Sequence, residues 1–144
     1  MTSIVVAEGN PVYHSDGNCL IETASKTLIA GCNNSIIPVD GSVTSIGEFA
    51  FSYCPELTSV FIPDSMTSID NSIFAGCNNL TSIVIPDSVT SINEYALTGC
   101  PALTSIFFEG TMEQWYTIVL PESTWDLYPP ADEVVCSDGT LLLK

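Results

Sequence analysis

The sequence predicts a solenoid of α/β type, in which short parallel strands and short helical turns stack coil upon coil. Two observations carry the prediction. Cys54, Cys77 and Cys100 recur at a step of 23 residues, and Ile46, Ile69 and Ile92 keep that step, as do Leu57, Leu80 and Leu103. The segments "SVFIPDSMTSIDNSIFAGCNNLTSI" and "SIVIPDSVTSINEYALTGCPALTSI" also repeat nearly the same residues in the same order. A fixed period of this size marks an array whose units cannot bury their own apolar faces and therefore stack on one another.

The chain reads as one domain over residues 1–144, in three sections. Residues 1–38 hold degraded N-terminal repeats: "TSIVVAEGNPVY" matches "TSIVIPDS" only in its first half. The step from Cys32 to Cys54 is 22 residues, because "CNNSIIP" lacks three residues of "CNNLTSIVIP" while "IPVDGSVTSI" carries two more than "IPDSVTSI". Degradation toward the end of an array is the behaviour of a capping repeat. Met1 stands where later copies have Leu, and the expectation is a chain cut from a longer protein or one that has lost its leader.

Residues 39–107 are the regular 23-residue repeats. In "LTSIVI", Leu80, Ile83 and Ile85 form an inward set and Val84 points outward by alternation. Pro63 and Pro86 end this strand, since proline cannot donate to a ladder. "VTSI" supplies a second short strand through Val89 and Ile92. "NEYALTGC" then reads as a helical turn, with Asn93 as its cap, Ala96 and Leu97 inward, and Gly99 at its C-terminal end. The Thr-Ser doublets fall in columns suited to hydrogen bonding between coils.

Residues 108–144 form a C-terminal cap. Met112, Trp115, Tyr116 and Val119 recur at helical offsets behind a Thr111 cap. "PESTWDLYPPADE" is loop-like, and "VVCSDGTLLL" returns as strand, turn and strand. Trp115 and Trp125 are the candidates for a ligand pocket under this cap.

Composition narrows function. Apolar residues make up 46% of 144 residues and charged residues 13%, which favours a packed core over disorder. Only Lys26 and Lys144 oppose 17 carboxylates, for a net charge of −15, and there is no Arg. That excludes phosphate-backbone binding to nucleic acid and adhesion to anionic membrane surfaces. No stretch approaches the roughly 20 apolar residues of a membrane span. The acidity serves mainly to keep molecules apart in solution.

Chemistry is sparse. Cys32, Cys54, Cys77 and Cys100 share a repeat position, and they read as a ladder of small buried thiols. A disulfide between neighbouring coils is the alternative, since coil spacing suits its Cα distance. No CxxC pair or nearby His supports zinc, so no metal and no cofactor are expected. Cys19 and Cys136 lie in the terminal units. His14, the single histidine, sits beside the Asp16-Gly17 turn with no visible second catalytic group. Asp64 and Asp87 recur after Pro, with Asp40 shifted, as turn residues bonding their own backbone. The chain reads as a non-enzyme. The best functional candidate is apolar: by register Val5, Ile36, Phe61, Val84 and Phe107 share the outward position of the long strand. An exposed stripe of that kind marks an interaction face.

"IPDSVTSI", followed by "EYAL" or "EFAF" and then a Gly-Cys or Tyr-Cys pair, resembles the BspA-like leucine-rich repeats of bacterial cell-surface proteins. "NPVYHSDGNCLIETASKTLIAGC" (residues 10–32) is similar to the segment that interrupts such arrays, where an Asp-Gly turn joins two strands as a hairpin insert. "FEGTMEQWYTIV" and "CSDGTLL" resemble the C-terminal unit of many members. The resemblance implies a right-handed parallel solenoid, secreted or held at the cell surface. It also implies a role in adhesion or ligand binding, with a protein or glycan as partner. The alternative is a structural spacer or self-associating element of a larger surface protein.

Overall fold

The computed structural model describes residues 1–93, 95–118 and 130–143. Residues 1–12 form no strand. The chain then folds into a hairpin, β1 (Tyr13–Asp16) and β2 (Cys19–Glu22). Its turn residues Gly17 and Asn18 both have positive φ, 56° and 57°, the geometry whose twist matches paired strands. β3 (Thr27–Ala30) runs antiparallel to β2 and parallel to β4 (Ser45–Ile46), completing a four-stranded sheet ordered β1-β2-β3-β4.

The regular units follow. They supply β5 (Ser59–Phe61) and β6 (Ser68–Ile69), then β7 (Ser82–Ile85) and β8 (Ser91–Ile92), then β9 (Ser105–Phe108). The helix α1 (Met112–Ile118) leads toward a closing hairpin, β10 (Glu133–Cys136) and β11 (Gly139–Leu142). The long strands stack parallel and in register, Ser59 on Ser82 on Ser105 and Val60 on Ile83 on Ile106. β10 continues the ladder with Val134 beside Ile106, and β11 ends it antiparallel, so the second sheet is ordered β11-β10-β9-β7-β5. The short strands β6 and β8 pair as Ile69 with Ile92.

Equal unit length is what produces this register. Every 23-residue step returns the same residue to the same height, and the Thr-Ser doublets bond as expected. Thr81 Oγ1 donates to the Thr58 carbonyl at 3.1 Å, Thr104 Oγ1 to Thr81 at 3.2 Å and Thr90 Oγ1 to Thr67 at 3.3 Å. The apolar core runs as one cluster from Cys19 to Cys136, with Ile69, Ile73, Phe74, Leu80, Ile83 and Ile85 fully buried. Phe51 stacks on Phe74 with ring centroids 5.5 Å apart.

One sequence expectation is corrected. The segments between short and long strands are strings of turns, with bonds such as Ala50 N to Gly47 O and Ala96 N to Asn93 O, and no regular helix forms within the repeats among the described residues. Positive φ at Phe49, Tyr53 and Ser72, and at Gly76 and Gly99, turns the backbone out of the right-handed region before a helix can propagate. Among the described residues the α/β label therefore rests on α1 alone, in the cap. There Thr111 and Gln114 cap reciprocally, Gln114 N reaching Thr111 Oγ1 at 3.2 Å and Thr111 N reaching Gln114 Oε1 at 2.7 Å.

The ladders are not continuous along the molecule. Among the described residues no strand pairs with β5 on its upstream side, and β4 does not pair with β6. The break falls at the irregular copy. Lacking three residues, "CNNSIIP" cannot reach the length of a long strand. Ser35 accepts from Cys32 N at 2.7 Å and donates to the Asn18 carbonyl at 2.6 Å, holding a turn instead. Ile36 N donates to the Gly17 carbonyl at 2.8 Å. That approach requires glycine, because a Cβ on Gly17 would lie 1.9 Å from the Ile36 carbonyl oxygen. On the turn side the coils stay joined, with Phe51 N bonded to Ile73 O at 3.0 Å and Tyr53 N to Ala75 O at 2.9 Å. The Ile46–Ile69–Ile92 column is accordingly strand-paired only at Ile69–Ile92. Ser65 donates to the Val43 carbonyl as Ser88 does to that of Met66, which keeps the coils aligned across the break.

Candidate functional site

Alternation decides which face of the long-strand sheet is apolar and open. Val60, Ile83 and Ile106 turn inward and are buried, so Phe61, Val84 and Phe107 must turn outward in a row. Phe61 is 62% exposed and Phe107 40%, with Val84 half-buried between them. Three of the five candidate residues are thus brought together by hydrogen-bonded register. Val135, beside Phe107 on β10, extends the row. Its signal was present in "VVCSDG", but nothing in one sequence places a strand from beyond α1 against β9.

Val5 and Ile36 lie outside this ladder. Val5 is 84% exposed in the strandless opening segment, where Val6 N donates to Ser15 Oγ at 2.9 Å. Ile36 is 74% exposed, and its backbone bonds to the hairpin tip at Gly17 instead of to β5. Between Ile36 and β5 opens a cleft of about 270 Å³, lined by Ser35, Ile36, Ile37, Phe51, Ser59, Val60 and Phe61. The exposed row therefore ends at a notch in the sheet.

The six cysteines are free and buried. Each thiol of the regular column reaches back to a carbonyl of the preceding coil, Cys77 Sγ to Phe51 O at 3.1 Å and Cys100 Sγ to Phe74 O at 3.3 Å, and Cys54 Sγ to Gly31 O at 3.9 Å. Burial pushes the Cys77 thiol up to about 11 and Cys100 to about 12. Burial likewise raises Cys19 to about 11, and it raises Cys54 and Cys136. Such thiols are poor nucleophiles.

The remaining polar candidates are local. His14 Nδ1 pairs with Thr23 Oγ1 at 2.7 Å across the first hairpin. Asp40 bonds its own turn, accepting from Ser42 N at 3.0 Å, and the Ser42 hydroxyl and backbone hold its carboxyl below the usual range. In the cap, Trp115 is buried against Phe108 at 5.5 Å, whereas Tyr116 is exposed and Ile118 takes the inward place. Val119 and Trp125 lie outside the described residues.

A 23-residue unit stacked in register through short parallel strands defines a class, the leucine-rich-repeat solenoids. The family model for the BspA type leucine rich repeat region matches residues 22–123 in six copies, and the chain belongs to that family. Solved structures agree on the fold. A leucine rich cell surface protein from Faecalibacterium prausnitzii is 28% identical with a TM-score of 0.51, over 76% of this chain and 43% of its own. The pneumococcal vaccine antigen PcpA is 15% identical with a TM-score of 0.58, over 95% of this chain and 39% of its own. A leucine-rich repeat protein from Bacteroides ovatus is 24% identical with a TM-score of 0.51, over 92% of this chain and 34% of its own. The chain thus spans less than half the length of each. No curated protein matches it.

Proposed function

We propose that the chain is a non-catalytic binding or adhesion module of a bacterial surface protein, folded as one right-handed unit over residues 1–144, which engages a partner on its open strand face. The observation that carries this reading is the in-register row of Phe61, Val84 and Phe107, in which both phenylalanines are exposed. Water-exposed rings in a continuous row are costly to leave bare, and solenoids bind along such extended faces. Family membership supports the non-enzymatic part. Surface placement draws on the Faecalibacterium protein, which is described as a cell surface protein.

The test is a panel of immobilised extracellular proteins and glycans, probed with the chain and with the Phe61→Ser/Phe107→Ser double variant. The expected result is loss of capture with melting nearly unchanged, because both rings are partly solvated already. Strong destabilisation would assign the rings to the core, and undiminished capture would move the site elsewhere.

A further inference from the structure

We propose that the notch between Ile36 and β5 takes up an extended, basic segment of another polypeptide, which adds a strand to the edge of β5. This rests on the reading of the strand face as the binding face, and names the chemistry of its partner. The backbone sets the geometry. Thr58 O accepts from Thr81 N, and Ile62 N donates to Val84 O, so residues 58, 60 and 62 direct their bonds toward β7. By alternation the N–H and C=O of Ser59 and Phe61 face the other way, along the edge that no strand among the described residues occupies. An open edge of this kind is a template for an incoming strand.

The surroundings select the segment. Phe51, Val60 and Ile37 line the cleft, and Phe61 and Ile36 stand at its lips. Alternate side chains of an inserted strand would therefore meet apolar surface on one side. Carboxylates mark both ends of the edge. Exposed Glu56 precedes β5 and is tied across the break by its N–H to Asn33 Oδ1 at 3.2 Å, and exposed Asp64 follows Phe61 beyond Ile62 and Pro63. Neither has a basic neighbour in sequence, and the whole chain carries −15 with two lysines. A second copy brings the same negative charge and is repelled, whereas Lys or Arg flanking an apolar core is attracted.

The experiment is an array of short acetylated peptides with Lys or Glu fixed at both flanks and apolar and Thr residues varied between, read by fluorescence anisotropy against the full chain. Lys-flanked members are expected to bind about tenfold or more tightly than their Glu-flanked counterparts. N-methylation of alternate peptide amides is expected to abolish binding, because it removes ladder donors and leaves side chains in place. Ser59→Pro, which deletes a donor on the open edge but none toward β7, is expected to do the same. Should that variant fail to fold, the methylated peptides decide alone. No binding by any Lys-flanked peptide, equal binding of Glu-flanked peptides, or indifference to methylation overturns the proposal. A partner that depends on Phe61 and Phe107 yet ignores Ser59→Pro sinks the edge while leaving the face. Capture unaffected by Phe61→Ser/Phe107→Ser sinks both.

Discussion

The stretch from β5 to β9 and the stretch from Cys32 to β4 are built from the same words, yet one forms a continuous ladder and the other interrupts it. Between β5, β7 and β9 every strand meets the next at the same height. Around Ile36 the segment turns back to the first hairpin, and the sheet stops. Residue composition hardly differs. Segment length does: a strand short by three residues cannot span its rung, and its serine closes a turn instead. Continuity of a solenoid is therefore a property of spacing, and a small deletion converts a closed rung into an accessible edge.

The largest contrast between the two regions lies in their isoleucines. Ile83→Ala, in the centre of the ladder and fully buried, is expected to destabilise by about 2–5 kcal/mol in denaturant unfolding. Ile36→Ala, at the break, should change stability by less than about 0.5 kcal/mol. Equal losses at both sites would mean that Ile36 is covered after all.

Repairing the irregular copy tests the deletion itself. Inserting Leu-Thr-Ser after Asn34 together with Ser35→Ile gives "CNNLTSIIIP", which differs from "CNNLTSIVIP" only by Ile36 in place of Val. The repaired strand should pair with β5, slow hydrogen exchange at Ser59 and Phe61, and add about 1 kcal/mol for each ladder bond gained. It should also close the notch to peptides. Unchanged exchange at those amides would separate the break from the missing residues.

The thiol column offers a smaller contrast, in pH dependence. The folded thiol values of Cys77 and Cys100, about 11 and about 12, lie above the unfolded thiol value of about 8.5. Neutral thiols are thus favoured by folding, and their contribution is complete below about pH 8.5 and is lost as pH rises through the folded values. Unfolding midpoints should fall across that alkaline window. Cys54, whose bond to Gly31 crosses into the irregular region at 3.9 Å, should react with Ellman's reagent before Cys77. The reverse order would contradict the looser packing of that coil.

Smallest of all is the threonine pair. Thr90→Val removes a bond to the Thr67 carbonyl and should cost about 0.5 kcal/mol. Thr67→Val should be nearly silent, because no corresponding bond from Thr67 to Thr44 exists among the described residues. Equal costs would show the two coils to be joined there.

Much of this was legible in the sequence. The period placed Ile69 on Ile92 and Phe61, Val84 and Phe107 in one outward row, because identical spacing leaves identical residues no other height. The Thr111 cap, the strand-turn-strand close and the buried cysteines were equally local or periodic. Two expectations departed from the structure. Helical turns became strings of turns once positive φ at Phe49, Tyr53 and Ser72 stopped propagation, a conformation that non-glycine residues do not advertise. Val5 and Ile36 left the row, because register predicts where a residue would stand if its strand formed, and theirs did not. Val135, for which the sequence carried no expectation, joined the row from within the cap, across residues with no repeat to count along.

By itself, then, the sequence determined the repeat, its columns and the side of each strand that faces water, since these follow from spacing and alternation alone. Only the tertiary structure decided where the ladder ends, that the hairpin tip at Gly17 captures Ile36, and that a notch opens beside β5. Those outcomes depend on which of two neighbours a backbone segment bonds to, a competition between distant parts of the chain that no local pattern records.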